Sequence, residues 1–247
     1  MIHYHGTPIT PNRTMRTLDG RRFCVSWFRP DQVALAHEIG VAVMLDCGAF
    51  SYWMARLRGQ PIPEPDWNVY YAWCEYWFEN PNTWAVVPDE IDAGTQFQDA
   101  LLAGWPHGDR GAPVWHMDEP ISRLLKLIEA WPRVCIGSTA EFRDILSSAW
   151  CRRMDEVWNA IVIAFGSIPQ IHMLRGLRLG AWDWPFGSGD STNIAQNHNR
   201  PNNTAVEMAN RIEASRTPDF WNVRALQGDM FESPPALHQG RNADGPC

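Results

Sequence analysis

Three aspartates stand at the ends of short apolar or glycine-rich runs, where a buried strand would end. Asp46 follows Val-Met-Leu and precedes Cys-Gly, Asp89 follows Val-Val-Pro, and Asp190 follows Gly-Ser-Gly. Small neighbours let a ligand approach closely, which favours a functional role over helix capping for Asp46 and Asp190. For Asp89 the two roles are equally open. Two carboxylates that face one pocket resist simultaneous ionisation, so one of them can stay protonated and act as an acid.

The positions of these side chains follow from the predicted secondary structure. Eight short apolar runs alternate with segments of helical periodicity, a pattern typical of repeated βα units. The predicted strands cover residues 2–5, 23–27, 42–46, 84–88, 113–116, 134–137, 171–174 and 185–189. The predicted helices cover residues 30–39, 67–79, 96–103, 121–130, 140–151 continuing through 154–164, and 204–214. The sequence therefore predicts an α/β protein with a single-domain (β/α)8 TIM-type barrel, whose active site lies at the carboxyl ends of the strands.

Composition agrees with one globular domain. Of the 247 residues, 45% are hydrophobic and 20% are charged, so the chain can bury a core without disulfides. We expect the barrel to span residues 1–231 and the tail, residues 232–247, to be loosely ordered, because it is rich in Pro and Gly and lacks periodicity. No apolar run approaches the ~20 residues of a membrane span, and the N-terminus does not resemble a signal peptide. The sequence predicts a cytoplasmic protein with no membrane partner.

Charge and cysteine usage exclude some classes of protein. A net charge of -7 disfavours a protein that coats nucleic acid non-specifically, although local basic patches remain compatible with it. The six cysteines are scattered without a CxxC or CxC pair, so the sequence predicts neither a zinc subdomain nor a redox centre. Two polar loops carry side chains that suit phosphates and sugars. The first loop contains Arg13, Arg16, Arg21 and Arg22. The second contains Asn193, Asn197, His198, Asn199 and Arg200.

Six short motifs lie at the ends of predicted strands. They are LDCGAFS (45–51), VVPDEID (86–92), PVWH (113–116), CIGS (135–138), HMLRGL (172–177) and GSGDST (187–192). In order and strand placement they resemble the base-exchange motifs of the tRNA-guanine transglycosylase superfamily, and in particular its small, phage-associated, DNA-acting branch. The resemblance implies a (β/α)8 barrel that exchanges or removes a nucleobase through a covalent sugar–enzyme intermediate, without a cofactor or metal. It implies a role in the modification of phage DNA or in defence against phage.

The resemblance also implies roles for individual residues. Asp190 matches the nucleophile, and Asp46 matches the aspartate that contacts the base and acts as acid and base. Asp89 matches the aspartate that recognises the base. The remaining substrate-binding positions that the motifs imply are His116, Gly137, Ser138, His172 and Arg175. Two departures matter: the zinc subdomain of the tRNA enzymes is absent, which points away from tRNA, and His116 replaces a glutamine of the base pocket, which points away from guanine.

The chemistry of base removal is consistent with this set of residues. Cleavage of an N-glycosidic bond builds positive charge at C1′ and negative charge on the departing base. Asp190 would supply the carboxylate under the sugar, and Asp46 or Asp89 the proton donor at the base. A base inside duplex DNA must be flipped out and held by stacking. Three aromatic residues beyond Asp46 are candidates for that platform, namely Phe50, Tyr52 and Trp53.

Histidines support a competing hypothesis. His3 and His5 alternate around Tyr4, so on a strand they point the same way and could bind a zinc ion that activates water. Together with His116, His172 and Asp190 they resemble the metal-ligand order of amidohydrolase barrels. This alternative leaves Asp46 and Asp89 without a role. A third alternative, a barrel that binds nucleic acid or a partner without catalysis, leaves the polar strand ends unexplained.

Overall fold

The computed structural model describes residues 1–179, 183–200 and 203–225, and within them it is an α/β protein with one parallel sheet. Nine strands form the sheet in this described part: β1 (Ile2–Gly6), β2 (Arg22–Ser26), β3 (Ala42–Asp46), β4 (Thr83–Val86), β5 (Gly111–Ala112), β6 (Val114–His116), β7 (Val134–Gly137), β8 (Ile171–Met173) and β9 (Ser188–Ser191). Their order is β5-β4-β3-β2-β1-β9-β8-β7-β6. All eight pairings between neighbours are parallel.

The two edges of the sheet are adjacent in the chain, so the sheet nearly closes into a barrel. Only Pro113 separates β5 from β6. Proline has no N–H for a ladder hydrogen bond, which accounts for the interruption. Val87 N–H donates to Ala112 on one side at 3.0 Å, and Cys135 N–H donates to the Pro113 carbonyl on the other at 2.8 Å. The strand predicted over 113–116 is thus one of two short strands around this proline.

Helices separate most of the strands. The α-helices within the described residues are α1 (Asn12–Arg16), α2 (Val33–Ile39), α3 (Ala49–Leu57), α4 (Trp67–Trp77), α5 (Thr95–Ala103), α6 (Ile121–Ala130), α7 (Ser148–Phe165), α8 (Asn193–Asn197) and α9 (Ala205–Glu213). The prediction over 140–164 was wrong in detail, because a short 3-10 turn over Ala140–Phe142 precedes a single helix that the Ser147 side chain caps. The sequence analysis also missed α1, α3 and α8. Two of these helices have five residues, too few to show a helical period.

Predictions about the chain ends fall partly outside the described residues. The boundary at residue 231 and the tail 232–247 lie in a segment that the structure does not describe. Among the described helices, none combines the length and the apolar character needed to cross a membrane.

The interior of the sheet is filled by large side chains from opposite strands. Tyr4 of β1 meets Trp84 of β4 and His172 of β8, with ring centroids 5.6 and 5.9 Å away. Trp84 Nε1–H donates to the Tyr4 hydroxyl at 3.0 Å, which satisfies two buried polar groups. These side chains close the barrel below its carboxyl end. Any ligand cavity must therefore lie above them, where the strands end.

The turn from β3 into α3 depends on a glycine. Gly48 has φ +85°, and a Cβ there would lie 3.2 Å from backbone and side-chain atoms of Phe28. This left-handed conformation is costly for a residue with a Cβ. The turn places Asp46 at the strand end and Phe50 in the first turn of the helix.

We predict that Gly48→Ala destabilises the fold by about 1–3 kcal/mol, because it adds backbone strain and a tight contact. Urea unfolding measures the change in free energy. The matched control is Gly94→Ala at the start of α5, where φ is -70° and a Cβ would meet nothing within 4 Å. Equal effects of the two substitutions would contradict the argument.

Candidate active site

A cavity of about 500 Å³ opens at the carboxyl ends of the strands. Three carboxylates line it: Asp46 at the end of β3, Asp89 in the loop after β4, and Asp190 in β9. Asp190 lies within its strand and not after it, because β9 begins three residues later than the sequence predicts. The other predicted site residues that line the cavity are Phe50, His116, Gly137, Ser138, Arg175 and Asn193.

Asp46 has the properties of an acid. Burial, together with the carboxylates of Asp190 and Asp89, raises the pKa of Asp46 from 3.8 to about 7. The Gly48 N–H donates to Asp46 Oδ2 at 3.2 Å and opposes this shift in pKa. Ser26 is the register partner of Asp46 on β2 and also lines the cavity. Near neutral pH a substantial fraction of Asp46 therefore carries a proton that it can donate.

Asp89 is 7% exposed and hydrogen-bonded through both oxygens. Cys47 Sγ donates to Asp89 Oδ1 at 3.2 Å, and His116 Nε2 lies 2.9 Å from Oδ2. Burial raises the pKa of the Cys47 thiol far above its usual value, so this thiol keeps its proton and remains a donor. Burial opposes protonation of His116, but the Asp89 carboxylate outweighs it and raises the pKa of His116. Asp89 and His116 thus form a coupled pair in one wall of the cavity.

Asp190 accepts two hydrogen bonds at the same oxygen. The Arg175 N–H donates to Asp190 Oδ1 at 2.8 Å, and His172 Nε2 lies 3.3 Å from that atom. Arg175 has φ +59°, a left-handed conformation that is uncommon for a residue with a long side chain. Such strain concentrates at functional sites, and here it directs a main-chain donor at the carboxylate.

A cation–π contact spans the mouth of the cavity. The Arg175 guanidinium lies 4.4 Å from the ring centroid of Phe50, which is 41% exposed. Phe50 belongs to α3, after β3, and Arg175 follows β8. Three strands separate β3 from β8 in the order β3-β2-β1-β9-β8, so the contact joins opposite sides of the sheet. The two side chains therefore partly cover the carboxylates below.

Gly137 and Ser138 form the wall next to His116. A Cβ on Gly137 would lie 3.2 Å from His116 Cδ2, so a side chain there would crowd that ring. The Ser138 hydroxyl accepts a hydrogen bond from Trp150 Nε1 at 3.0 Å. Both residues support the shape of the cavity, whereas the sequence resemblance assigns them to the base.

Three residues predicted to bind substrate do not line the cavity. Tyr52 packs edge-on against Phe28, and the Trp53 indole donates to Asp92 at 2.7 Å on the outer surface. Successive residues of a helix point in different directions, so Ala49, Phe50 and Ser51 of the first turn of α3 line the cavity and Tyr52 and Trp53 do not. His172 is fully buried beneath Asp190.

The predicted DNA-backbone residues are dispersed. Of this set, only Asn193 lines the cavity. Arg16 forms a two-pronged ion pair with Glu38, at 2.7 and 2.9 Å, and Asn197 hydrogen-bonds back to Asn193 within α8. Arg13 and Arg200 are exposed away from the cavity lining. Arg29, in the loop after β2, also lines the cavity and was not among the predicted site residues. Its position just beyond the end of a strand is the same signal that identified Asp46 and Asp89.

The histidines of the alternative metal site point in different directions. Tyr4 points into the barrel, so the alternation of side chains directs His3 and His5 outward. There His5 Nε2 lies 2.9 Å from Glu213 of α9, and His3 Nε2 lies 3.0 Å from Ser191 Oγ. Burial lowers the pKa of His3 to about 3. Within the part of the chain that is described, no three His, Cys, Asp or Glu side chains are grouped so that they could hold a metal ion.

Comparisons with models of protein families, with curated proteins and with solved structures found no match.

The raised pKa of Asp46 predicts a pH-dependent stability. The pKa of Asp46 is about 7 in the folded protein, against 3.8 for an unperturbed aspartate. The contribution of Asp46 to the free energy of unfolding is therefore fully present at pH values below 3.8. This contribution is lost as the pH rises through about 7, because the buried carboxylate must then ionise. Asp46→Asn removes that penalty. We expect the variant to gain stability relative to wild type between about pH 4 and pH 8, by up to about 4 kcal/mol.

Urea unfolding of both proteins across that range measures the difference. Asp19→Asn, in an exposed turn before β2, is the control and should show no such trend. A constant difference between Asp46→Asn and wild type at every pH would show that Asp46 ionises normally in the folded state.

Proposed function

We propose that this protein is an enzyme of (β/α)8 architecture that cleaves the N-glycosidic bond of a nucleobase in DNA, as a glycosylase or a base transglycosylase. The architecture counts β5 and β6 as one strand interrupted at Pro113, which leaves eight strand positions around the ring. The observation that carries the function is the convergence of Asp46, Asp89 and Asp190 on one cavity, each with a different set of hydrogen-bond partners.

The different environments of the carboxylates support different roles. Asp46, with its pKa near 7, is suited to give a proton to the leaving base and to take one back later. Asp190 has one oxygen held by N–H donors, and the position of its side chain in the cavity suits attack on a sugar. Asp89 and His116 supply a hydrogen-bonding wall for the edge of the base. Sites that separate an acid from a nucleophile in this way are typical of glycosyl transfer.

The reaction proceeds in two balanced steps. In the first, a lone pair of the Asp190 carboxylate attacks C1′, the C1′–N bond breaks, and the base leaves with that electron pair and the proton of Asp46. In the second, water or an incoming base attacks C1′, and the C1′–O bond returns its electron pair to Asp190. The attacking group loses its proton to Asp46. No oxidant, reductant or cofactor is needed for this balance.

The cavity is consistent with a single flipped nucleotide. Its volume lies within the range of about 300–1,000 Å³ usual for small-molecule sites, so it has room for a base and a sugar but not for a duplex. Duplex DNA would have to extrude the target nucleotide, and Phe50 at the mouth offers a ring for stacking. His116, where the resembling family has a glutamine, supports a base other than guanine, such as a modified base.

The central test measures release of bases from DNA. Modified and unmodified DNAs are incubated with the protein, free bases are identified by mass spectrometry, and abasic sites are quantified. We predict release by wild type and a loss of about 1,000-fold or more in Asp190→Asn, since the amide keeps the shape but removes the charge that stabilises the oxocarbenium-like sugar. DNA binding by the variant should persist.

Asp19→Asn is the matched control and should retain full activity. Each reaction is repeated with EDTA, because a metal-dependent hydrolase would lose its activity while the carboxylate mechanism would keep it. Near-normal base release by Asp190→Asn would refute the proposed mechanism.

A second prediction concerns the choice of base. Asp89→Asn replaces one acceptor by a donor, which conflicts with the Cys47 thiol or the His116 imidazole and changes the edge offered to the base. We expect the ratio of kcat/KM between modified bases to change by about tenfold or more. Asp92→Asn is the control in the same loop, because Asp92 is exposed and asparagine tolerates its φ of +68°. Unchanged discrimination in Asp89→Asn would remove Asp89 from base recognition.

A further inference from the structure

His172 lies directly beneath the cavity and has two polar contacts. Its Nδ1 is 2.8 Å from the Ser188 hydroxyl, and its Nε2 is 3.3 Å from Asp190 Oδ1. The side chain is 0% exposed, so it does not reach a ligand. We propose that His172 is a positioning residue that, together with Ser188, orients the carboxylate of Asp190 and determines which of its oxygens meets the substrate.

The partners of the imidazole define its tautomer. A carboxylate oxygen is only an acceptor, so His172 Nε2 must carry the proton that it donates to Asp190. In the neutral ring Nδ1 is then an acceptor, and the Ser188 hydroxyl donates to it. Ser188 and Asp190 are two residues apart on β9, so both side chains point into the barrel, where they meet His172. The result is a chain of hydrogen bonds from Ser188 through His172 to Asp190.

Aromatic side chains hold the imidazole in this orientation. Tyr4 and Trp84 pack edge-on against it, with ring centroids 5.9 and 5.2 Å away. The hydrogen bond between Trp84 and Tyr4 fixes these two rings relative to each other. Rotation of His172 would therefore displace packed core side chains as well as break both of its polar contacts.

The two oxygens of Asp190 therefore have different surroundings. Oδ1 accepts from His172 and from the Arg175 N–H, whereas none of the described residues donates a hydrogen bond to Oδ2. This asymmetry assigns Oδ2 as the atom that attacks C1′ and Oδ1 as the carbonyl oxygen of the resulting ester. The assignment of these chemical roles rests on the proposed function. The hydrogen-bond geometry stands without it.

The first experiment needs no substrate. Long-range ¹H–¹⁵N spectra of the histidine rings should show His172 as the neutral tautomer with the proton on Nε2. Asp190→Ala should produce a mixture of tautomers, because the remaining partner, the Ser188 hydroxyl, can donate or accept, whereas Ser188→Ala should keep the proton on Nε2. A proton on Nδ1 alone in wild type, or a spectrum that Asp190→Ala leaves unchanged, would overturn the proposal.

The second experiment uses the DNA that gives the highest base release. His172→Phe should lower kcat about 10- to 100-fold with KM changed less than about threefold, since it removes orientation and not binding. His172→Gln should restore most of kcat, because its amide nitrogen can occupy the position of Nε2. Ser188→Ala, a small change that the core should tolerate, should lower kcat less than His172→Phe does. Circular dichroism and thermal unfolding check that each variant is folded.

The outcomes separate the two proposals. If wild type releases no base from any DNA, the proposed function fails, while the NMR spectra still decide whether His172 holds Asp190. If wild type releases base but His172→Phe and His172→Gln have the same kcat, the positioning role is wrong and the proposed function stands. Rescue by glutamine together with the Nε2–H tautomer supports the proposal.

Discussion

The alternation of side chains along parallel strands, in a sheet that nearly closes on itself, governs the rest of this structure. Parallel pairing brings every carboxyl end to the same rim, so residues far apart in the chain share one cavity. Alternation then decides which of them enter it. Tyr4 and its register partner Asp190 point inward, whereas His3 and His5, one position away, point toward the helices. The same constraint assembles the carboxylate site and disperses the histidines that a metal site would require.

Electrostatics within the cavity follow from its depth. Three carboxylates that line one cavity resist simultaneous ionisation, and each has different hydrogen-bond partners. Asp89 has a thiol and an imidazole, and Asp190 has a main-chain N–H and a second imidazole. Asp46 lies beside the Ser26 hydroxyl and accepts a long hydrogen bond from the Gly48 N–H, but burial and the charges of Asp190 and Asp89 outweigh both and raise its pKa. Three chemically identical side chains thus have three different sets of partners within one cavity.

The sequence predicted the bounds of several strands but not the directions in which individual side chains point. Runs such as residues 42–46 and 134–137 matched their observed strands because a buried parallel strand is continuously apolar. Residues at strand ends, including Asp46 and His116, could be found by their position alone. Tyr52 and Trp53 could not be sorted from Phe50, because the sequence did not reveal that α3 begins at Ala49, and that start decides which face turns to the cavity. The partner of a polar side chain, such as Glu213 for His5, depends on tertiary packing that no local pattern records.

Residues in neighbouring walls of the cavity contact one another, so a small residue of a sequence motif can affect the wall beside it as well as its own turn. Gly137 leaves space for the His116 ring that contacts Asp89, and the second oxygen of Asp89 accepts from Cys47. The histidine at position 116 thus packs against a glycine of β7 and contacts an aspartate after β4. An amide at position 116 would leave Asp89 with a different partner and give the cavity a different edge. Cys47, Asp89 and His116 thus form one hydrogen-bonded unit that packs against Gly137, in which the replacement of one residue changes the contacts of the others.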